Sequence, residues 1–206
     1  MARKTKEESQ KTRANILEAA VIIFNEKGVA RASLEDIAKQ ADVTRGAVYW
    51  HFKNKINIFE ALQEELHSSL VEAILGDLER AHPRPLEQLE HLCTELIIEI
   101  QTNMQKHMVL KIFFMKCDYA GDMEYLLTAQ NAQKQKHLDL FAHYFKKAQD
   151  KGHLPADDDP KVLSKSLSCF LTGIVFEHMR APEQMDLTTL APQLMKGYFK
   201  SYHCTR

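Results

Sequence analysis

The sequence has few of the residues that build disulfide frameworks or turn-rich folds. It holds four cysteines, seven glycines and six prolines among 206 residues. No two cysteines are close enough for a Cys-x-x-Cys motif, and three of the four lie in apolar helical patterns. We therefore interpret them as reduced core thiols of a cytosolic protein and not as a disulfide framework. So few turn residues argue against a disordered, collagen-like or turn-rich β fold.

Long hydrophobic runs are also lacking. The most apolar stretch, MVLKIFFM at residues 108–115, is interrupted by Lys111 and is too short to cross a bilayer. The basic start, MARKTKEESQKTR, has no apolar segment after it, so it is not a secretory signal. We expect a soluble, cytoplasmic protein without a membrane partner.

Motifs of catalysis and metal binding are missing as well. The chain has no HExxH, no GxSxG and no cysteine in a recognisable nucleophile motif. Its ten histidines show no metal-ligand spacing; His137 and His143, six residues apart, do not share a helix face. The sequence therefore predicts no catalytic residue, no metal, no cofactor and no enzyme. Two alternatives stay open: a small helical enzyme using a cavity of the body as its active site, and a helical adapter that binds protein.

Charge is distributed unevenly along the chain. The formal net charge is -1, but residues 1–55 hold 11 Lys and Arg against 7 Asp and Glu. The remaining residues hold 16 basic against 21 acidic side chains. A basic head on an acidic body indicates that the head meets an anionic partner.

Hydrophobic residues recur at spacings of three and four through nearly the whole chain, which predicts an all-α fold of about nine helices. Three short helices form an N-terminal head, which we assign as a DNA-binding domain at residues 1–55. Six longer helices form a ligand-binding and dimerisation domain at residues 56–206. One of them, at 106–117, is apolar on almost every side, so we expect other helices to surround it.

Residues 33–55, SLEDIAKQADVTRGAVYWHFKNK, predict a helix-turn-helix. The first helix is capped by Ser33, and the second, at about 44–50, is capped by Thr44. Arg45 is placed to reach a guanine edge, and Gly46 permits a close approach of the backbone. The predicted DNA-binding residues are Ser33, Thr44, Arg45, Gly46, Ala47, Tyr49, Trp50, His51, Lys53 and Lys55.

The same segment carries a family resemblance. RANILEAAVIIFNEKGVARASLEDIAKQADVTRGAVYWHFKNK, residues 13–55, resembles the N-terminal signature of the TetR family of bacterial one-component repressors. MARKTKEE and TRGAVYWHFKNK are most similar to the branch that represses multidrug efflux pumps. KCDY at 116–119 and GHLP at 152–155 extend the likeness into the body.

The resemblance implies an all-α homodimer whose recognition helix, here 44–50, enters the major groove of a palindromic operator. It implies that Lys55 touches a phosphate and that the last two helices of each subunit form a four-helix interface. It also implies an effector cavity between the fourth and eighth helices. We therefore expect a repressor that a small lipophilic or aromatic effector releases from double-stranded DNA.

Two sets of body residues follow from the helical patterns. Apolar and aromatic side chains with sparse polar groups are typical of small-molecule sites. The predicted effector residues are Leu66, Leu96, Phe113, Phe114, His137, Phe141, Phe170, Leu171, Ile174, Glu177 and His178. An aromatic stripe near the C-terminus and the need for two heads favour a dimer face at Leu163, Leu167, Leu194, Tyr198, Phe199 and Tyr202.

Overall fold

The computed structural model describes residues 6–119 and 125–203, apart from the side chains of 125–129, 201 and 203. This part of the chain forms nine α-helices, a π-helix and a short 3-10 helix, and it contains no β-strand, so the all-α prediction is confirmed. The α-helices are α1 Lys6–Lys27, α2 Leu34–Gln40, α3 Arg45–His51, α4 Lys55–Leu78, α5 Pro85–Thr102, α6 Met104–Lys111, α7 Tyr125–Asp150, α8 Pro160–Arg180 and α9 Leu187–His203. The π-helix is Ile112–Lys116, and the 3-10 helix is Pro182–Gln184.

Helix ends follow local sequence signals. Gly28 ends α1 with φ at 76°, a left-handed conformation that glycine adopts without steric cost. Its N–H donates to the Phe24 carbonyl at 2.9 Å. The Asn54 side chain caps the start of α4 by accepting the Asn57 N–H at 2.9 Å.

The start of α8 also carries local sequence signals. The Asp159 carboxylate accepts the Lys161 N–H at 2.8 Å, and Pro160 is the first helical residue. Proline costs nothing there because that N–H has no partner inside the helix, and a carboxylate is favourable at the positive end of the helix dipole.

The chain divides into two compact units, each with its own core. Among the described residues, the first unit holds 6–66, 108–119 and 125–127, and the second holds 67–107 and 128–203. The first core includes the buried side chains of Ile16, Phe24, Ile37, Phe59 and Ile112. The second includes the buried side chains of Leu89, Cys93, Tyr144, Phe145 and Leu167. The domain boundary expected at residue 55 stays a prediction.

One helix differs from its prediction. The segment expected as a single helix at 106–117 begins at Met104, ends as an α-helix at Lys111 and continues as the π-helix. The expectation that it is covered on every side is wrong for this chain. Of the apolar side chains in residues 106–117, those of Val109 and Ile112 are buried, whereas the others are only partly covered.

Within the first unit, side chains of α1 hold the short helices in place. The Asn15 amide donates to the Ala41 carbonyl at the end of α2, at 2.7 Å. The Arg13 guanidinium lies 5.4 Å from the centre of the Phe52 ring, just after α3. These contacts give α2 and α3 a fixed support.

Within the second unit, the C-terminal part of α4 runs parallel to α7. The Tyr144 hydroxyl donates to the Asp77 carboxylate at 2.7 Å, and the Lys147 ammonium donates to the Leu78 carbonyl at 3.0 Å. Closer to the N-termini of the two helices, the centres of the His67 and His137 rings lie 5.0 Å apart. In each of these three contacts the two residues are about 70 positions apart in the sequence. A nearly constant separation means that the two helices run in the same direction.

Candidate nucleic-acid interface and effector region

A tight turn sets α3 against α2. Asp42 has a positive φ of 50°, which lets the chain reverse directly after α2. The Val43 N–H then donates to the Ala38 carbonyl at 3.0 Å. Thr44 caps α3, because its hydroxyl oxygen accepts the Ala47 N–H at 3.2 Å. The helix-turn-helix predicted from the sequence is therefore present.

The start of α2 is a complete capping box. The Ser33 hydroxyl oxygen accepts the Asp36 N–H at 3.1 Å, and the Asp36 carboxylate accepts the Ser33 N–H at 3.1 Å. The Lys27 ammonium also donates to this carboxylate, at 2.5 Å. Hydrogen bonds from Lys27 and Ser33 lower the pKa of the Asp36 carboxyl to about 2, so the box stays ionised at neutral pH.

One face of α3 is turned to solvent. Val48 is 0% exposed and anchors the helix to the core of the first unit, whereas Trp50 is 72% exposed. Thr44, Arg45, Gly46 and Tyr49 are exposed, while Ala47 and His51 are partly covered. A large exposed aromatic side chain on a short polar helix is typical of a binding surface.

Arg45 and Tyr49 are in contact on this face. A guanidinium N–H of Arg45 donates to the Tyr49 hydroxyl at 3.2 Å, and the guanidinium carbon lies 5.3 Å from the centre of the phenol ring. The two residues are four positions apart and therefore neighbours on the helix surface. The spacing of four residues could have predicted this contact. In the sequence prediction, Arg45 and Tyr49 are named only as separate DNA-binding residues.

Gly46 is not required by the fold. Its φ is not in the left-handed region, and a Cβ built on it would have as its nearest contact the Thr44 hydroxyl oxygen at 3.9 Å. Glycine inside a helix is unfavourable by about 1 kcal/mol relative to alanine. The glycine therefore makes sense as a place where another molecule approaches the α3 backbone.

The lysines that follow α3 differ in their surroundings. Lys53 is exposed. The Lys55 ammonium donates to the carbonyls of Ala30 at 2.5 Å and Ala32 at 3.2 Å. Lys55 thus ties the start of α4 to the turn before α2, and a phosphate contact from it would use its third N–H.

The predicted effector residues are divided between the two units. Leu66, Phe113 and Phe114 belong to the first, and the remaining eight belong to the second. Phe113 packs edge-on against Phe59, with ring centres 4.9 Å apart. In the second unit, Phe170 stacks on Tyr198 at 4.8 Å.

Glu177 does not fit the interior site for which it was predicted. Its side chain is exposed, and its carboxylate accepts a hydrogen bond from Arg180, one turn further along α8, at 2.5 Å. Its neighbour His178 is buried instead, because adjacent residues of a helix point in different directions.

Two predicted effector residues have buried nitrogen atoms that lack partners. His137 is 9% exposed and His178 is 2% exposed. Among the described residues, neither Nε2 atom has a hydrogen-bond partner. The Nδ1 atom of His178 lies 2.9 Å from the Met185 carbonyl, which can only accept, so this nitrogen carries the proton.

Burial also determines the charge of His137. It lowers the pKa of this imidazole to about 4, and the nearby His67 and Lys136 act in the same direction. The His137 ring is therefore neutral at physiological pH. His67, whose ring lies against it, is absent from the predicted set, although it directly follows Leu66, which belongs to that set.

Two residues of the predicted dimer face are already buried within one chain. Leu167 and Phe199 are each 0% exposed, so they have no surface left to cover against a second copy. Their inclusion is wrong for that reason. Leu163, Leu194, Tyr198 and Tyr202 are partly covered and retain surface.

The described residues contain no cluster of three or more His, Cys, Asp or Glu side chains arranged to hold a metal ion. In the same part of the chain, no helix is both long enough and apolar enough to cross a membrane.

Two family models cover most of the chain. Residues 16–62 match the model of bacterial regulatory proteins of the tetR family. Residues 84–204 match the C-terminal region of MAATS-type transcriptional repressors. The first match contains the helix-turn-helix, and the second covers more than half of the chain.

Individual relatives match over nearly their full length. The HTH-type transcriptional regulator AcrR of Shigella flexneri is 33% identical over 187 residues, which cover 91% of this chain and 87% of AcrR. A solved structure of NalD, the secondary repressor of the MexAB-OprM multidrug efflux pump in Pseudomonas aeruginosa, superposes with a TM-score of 0.81 at 33% identity, covering 95% of this chain and 97% of NalD.

A further solved structure, a complex of SmeT with triclosan, has a TM-score of 0.80 at 31% identity, and covers 91% of each chain. SmeT is the repressor of the SmeDEF multidrug efflux pump of Stenotrophomonas maltophilia.

Proposed function

Because the chain belongs to the TetR family of bacterial regulatory proteins, we propose that it is a ligand-responsive repressor of a multidrug efflux pump operon. It binds a palindromic operator as a homodimer and leaves it when a small lipophilic or aromatic effector enters the body. The family consists of transcriptional regulators, not enzymes, so the helical-enzyme alternative has no support.

The exposed face of α3 is the observation that carries the DNA-binding role. Its support is rigid, since Thr44 caps the helix and Val48 anchors it in the core. Its outer residues are basic, aromatic or lack a side chain, and the fold itself does not need Gly46. Such a helix fits the major groove, where the N–H groups of its first turn meet a phosphate and Arg45 meets a base edge.

The dimer face is proposed on the outer side of α8. Residues at spacings of three and four along this helix are all exposed in the single chain, and each is small or apolar. They are Val162, Ser166, Cys169, Gly173 and Phe176. Side chains of this kind let two helices approach closely, and this stripe lies one residue before the predicted positions Leu163 and Leu167.

The effector is proposed to act through α4. This helix begins at Lys55, which holds the turn before α2, and ends at Leu78 beside α7. An effector that binds best when α4 is tilted favours a form in which the two recognition helices lie further apart. In that form they no longer fit two successive major grooves of the operator. By reciprocity, operator DNA must then weaken effector binding by the same factor.

The test combines footprinting with two matched variants. DNA flanking the protein's own gene is footprinted, and operator affinity is then measured by fluorescence anisotropy at several salt concentrations. Arg45→Ala should cost about 1–3 kcal/mol and relax selectivity at one base position. Lys53→Ala should weaken binding equally on all sequences and reduce the salt slope by about one.

Two results would contradict the proposal. If both variants bind the operator like the parent protein, α3 is not the DNA-reading element. If operator affinity is unchanged by a panel of lipophilic compounds that includes triclosan, and compound affinity is unchanged by operator, the effector part of the proposal is wrong.

A further inference from the structure

Arg45 is a long side chain on an exposed helix face, so its use in reading DNA depends on how firmly it is held. Its backbone is fixed, because Thr44 caps α3 and Val48 is buried in the core of the first unit. The side chain itself has many rotamers, and the entropy lost on fixing them weakens a contact with DNA. A neighbour that holds the guanidinium before DNA arrives removes part of that loss.

Tyr49 holds the Arg45 side chain at two points. A guanidinium N–H donates to the Tyr49 hydroxyl at 3.2 Å, and the guanidinium carbon lies 5.3 Å from the centre of the phenol ring. The hydroxyl fixes the end of the side chain, while the attraction between the cation and the ring keeps the guanidinium over the ring. Both residues belong to α3, so the pair moves with the recognition helix.

The guanidinium held in this way can still read a base. Arginine has several N–H donors in a fixed planar fork, and the Tyr49 hydroxyl accepts from only one of them. The others suffice for a bidentate bond to O6 and N7 of guanine. Tyr49 is 46% exposed, so the pair stands at the surface of the helix, where a groove can reach it.

A competing partner for Arg45 lies on α2. The hydrogen bond to Tyr49 raises the pKa of the Arg45 guanidinium, and the Glu35 carboxylate acts in the same direction through its charge. Glu35 is exposed, and a guanidinium that turned towards it would point its donors at a carboxylate and away from DNA. The contact with Tyr49 keeps the guanidinium on α3.

We propose that Tyr49 is a positioning residue for base recognition, which holds the Arg45 guanidinium in the orientation that reads a guanine edge. This inference rests on the proposed function and assigns a residue that sets its sequence selectivity. A tyrosine that bonded to a phosphate would strengthen binding to every sequence alike. A tyrosine that orients Arg45 acts on one base pair.

The test measures selectivity at single base pairs. Operator duplexes in which one guanine–cytosine pair of each half-site is replaced by adenine–thymine are titrated by fluorescence anisotropy. At the pair that Arg45 reads, the parent should prefer guanine at least about fivefold, and Arg45→Ala should lose this preference. Tyr49→Phe, which keeps the ring but lacks the hydroxyl, should lower the same preference about threefold, and Tyr49→Ala should lower it further.

A double-mutant cycle shows whether Tyr49 acts through Arg45. The variant that combines Arg45→Ala with Tyr49→Phe should bind each duplex within about twofold of Arg45→Ala alone, because the hydroxyl then has no guanidinium to hold. Lys53→Ala is the matched comparison. It should weaken binding to all duplexes and keep the preference of the parent.

Two results would overturn the proposal. A loss of affinity in Tyr49→Phe that is equal on all duplexes, with the preference unchanged, would identify a phosphate contact. A further loss of affinity when Tyr49→Phe is added to Arg45→Ala would show that the hydroxyl acts independently of the guanidinium.

A measurement without DNA separates this inference from the function on which it rests. The 15N relaxation of the Arg45 Nε–H reports the mobility of the side chain, which should rise in Tyr49→Ala and stay at the parent value in Lys53→Ala. If the parent showed this difference yet bound no DNA, the repressor function would fail while the holding contact stood. If the parent bound the operator but Arg45 were equally mobile in the parent and in Tyr49→Ala, the inference would fail and the function would stand.

Discussion

Gly46 shows how one residue can oppose the stability of its own helix. Nothing in the first unit comes within 3.9 Å of a Cβ built at this position, so Gly46→Ala should stabilise the fold by about 0.5–1 kcal/mol. The added methyl group would stand where DNA approaches the backbone, and operator affinity should fall. Thermal unfolding and anisotropy measure the two effects.

Gly76 provides the matched control for this prediction. It lies in α4, and a Cβ added to it would meet no atom within 4 Å, so Gly76→Ala should raise stability without changing operator affinity. If Gly46→Ala also left DNA binding intact, the close approach at Gly46 would be refuted.

His137 should make stability depend on pH. Its pKa is about 4 in the folded protein and about 6.5 in the unfolded chain. Below pH 6.5 the unfolded chain takes up a proton that the folded protein does not, so stability falls as the pH drops from about 6.5 towards 4. The loss should reach a few kcal/mol, and His137→Leu should remove it.

The measurement is the difference in unfolding free energy between parent and His137→Leu at pH 7.5 and pH 5, because the difference cancels other titrating groups. A difference that stays constant between these two pH values would show that His137 is not held neutral by burial.

At the scale of helices, a few polar contacts decide how α4 and α7 are joined. The Tyr144 hydroxyl donates to the buried Asp77 carboxylate at 2.7 Å. Tyr144→Phe would take one partner from that carboxylate and should cost about 1.5–3 kcal/mol, the range for hydrogen bonds to charged groups. Denaturant unfolding measures it.

Tyr198→Phe is the comparison for Tyr144→Phe. The Tyr198 hydroxyl donates to the Ser166 hydroxyl at 3.1 Å. Both groups are uncharged, so the loss of this bond should cost only about 1 kcal/mol. Equal losses of unfolding free energy in the two variants would mean that the hydrogen bond to the Asp77 carboxylate is no stronger than the one between uncharged hydroxyls.

The segment after α6 shows the limit of helical periodicity. The sequence pattern correctly predicts that residues 106–117 are helical. It does not predict the change from α-helix to π-helix after Lys111, and it wrongly predicts that the segment is buried on every side. The Val29 N–H donates to the Lys116 carbonyl at 3.1 Å, and the Asn25 amide donates to the Met108 carbonyl at 3.0 Å. These contacts join residues more than eighty positions apart, and the spacing of residues within one helix cannot predict them.

For the whole molecule, the main prediction concerns the dimer. Cys169 lies at the middle of the exposed stripe on α8, and Cys169→Arg should place a charged, bulky side chain in the proposed interface. Sedimentation equilibrium should give twice the 23.7 kDa chain mass for the parent and the single mass for the variant. Operator affinity should fall at least tenfold, because one head then reads one half-site.

Met104→Arg is the control for the dimer prediction. Met104 is also exposed and apolar but belongs to α6, so this variant should remain dimeric and bind the operator. Dissociation of both variants, or of neither, would place the interface elsewhere.

The sequence by itself determined the all-α class, the helix-turn-helix at residues 33–55 and the exposed face of α3. These features depend on contacts between residues no more than four positions apart, such as the caps made by Ser33, Thr44 and Asp159. Contacts of this range can be predicted from the spacing of residues along the sequence. Only the tertiary structure decided which face of α8 stays open, that Glu177 is at the surface, and that the His137 ring is buried beside the His67 ring of α4. Each of these depends on side chains brought together from distant parts of the chain, where spacing along the sequence carries no information about distance.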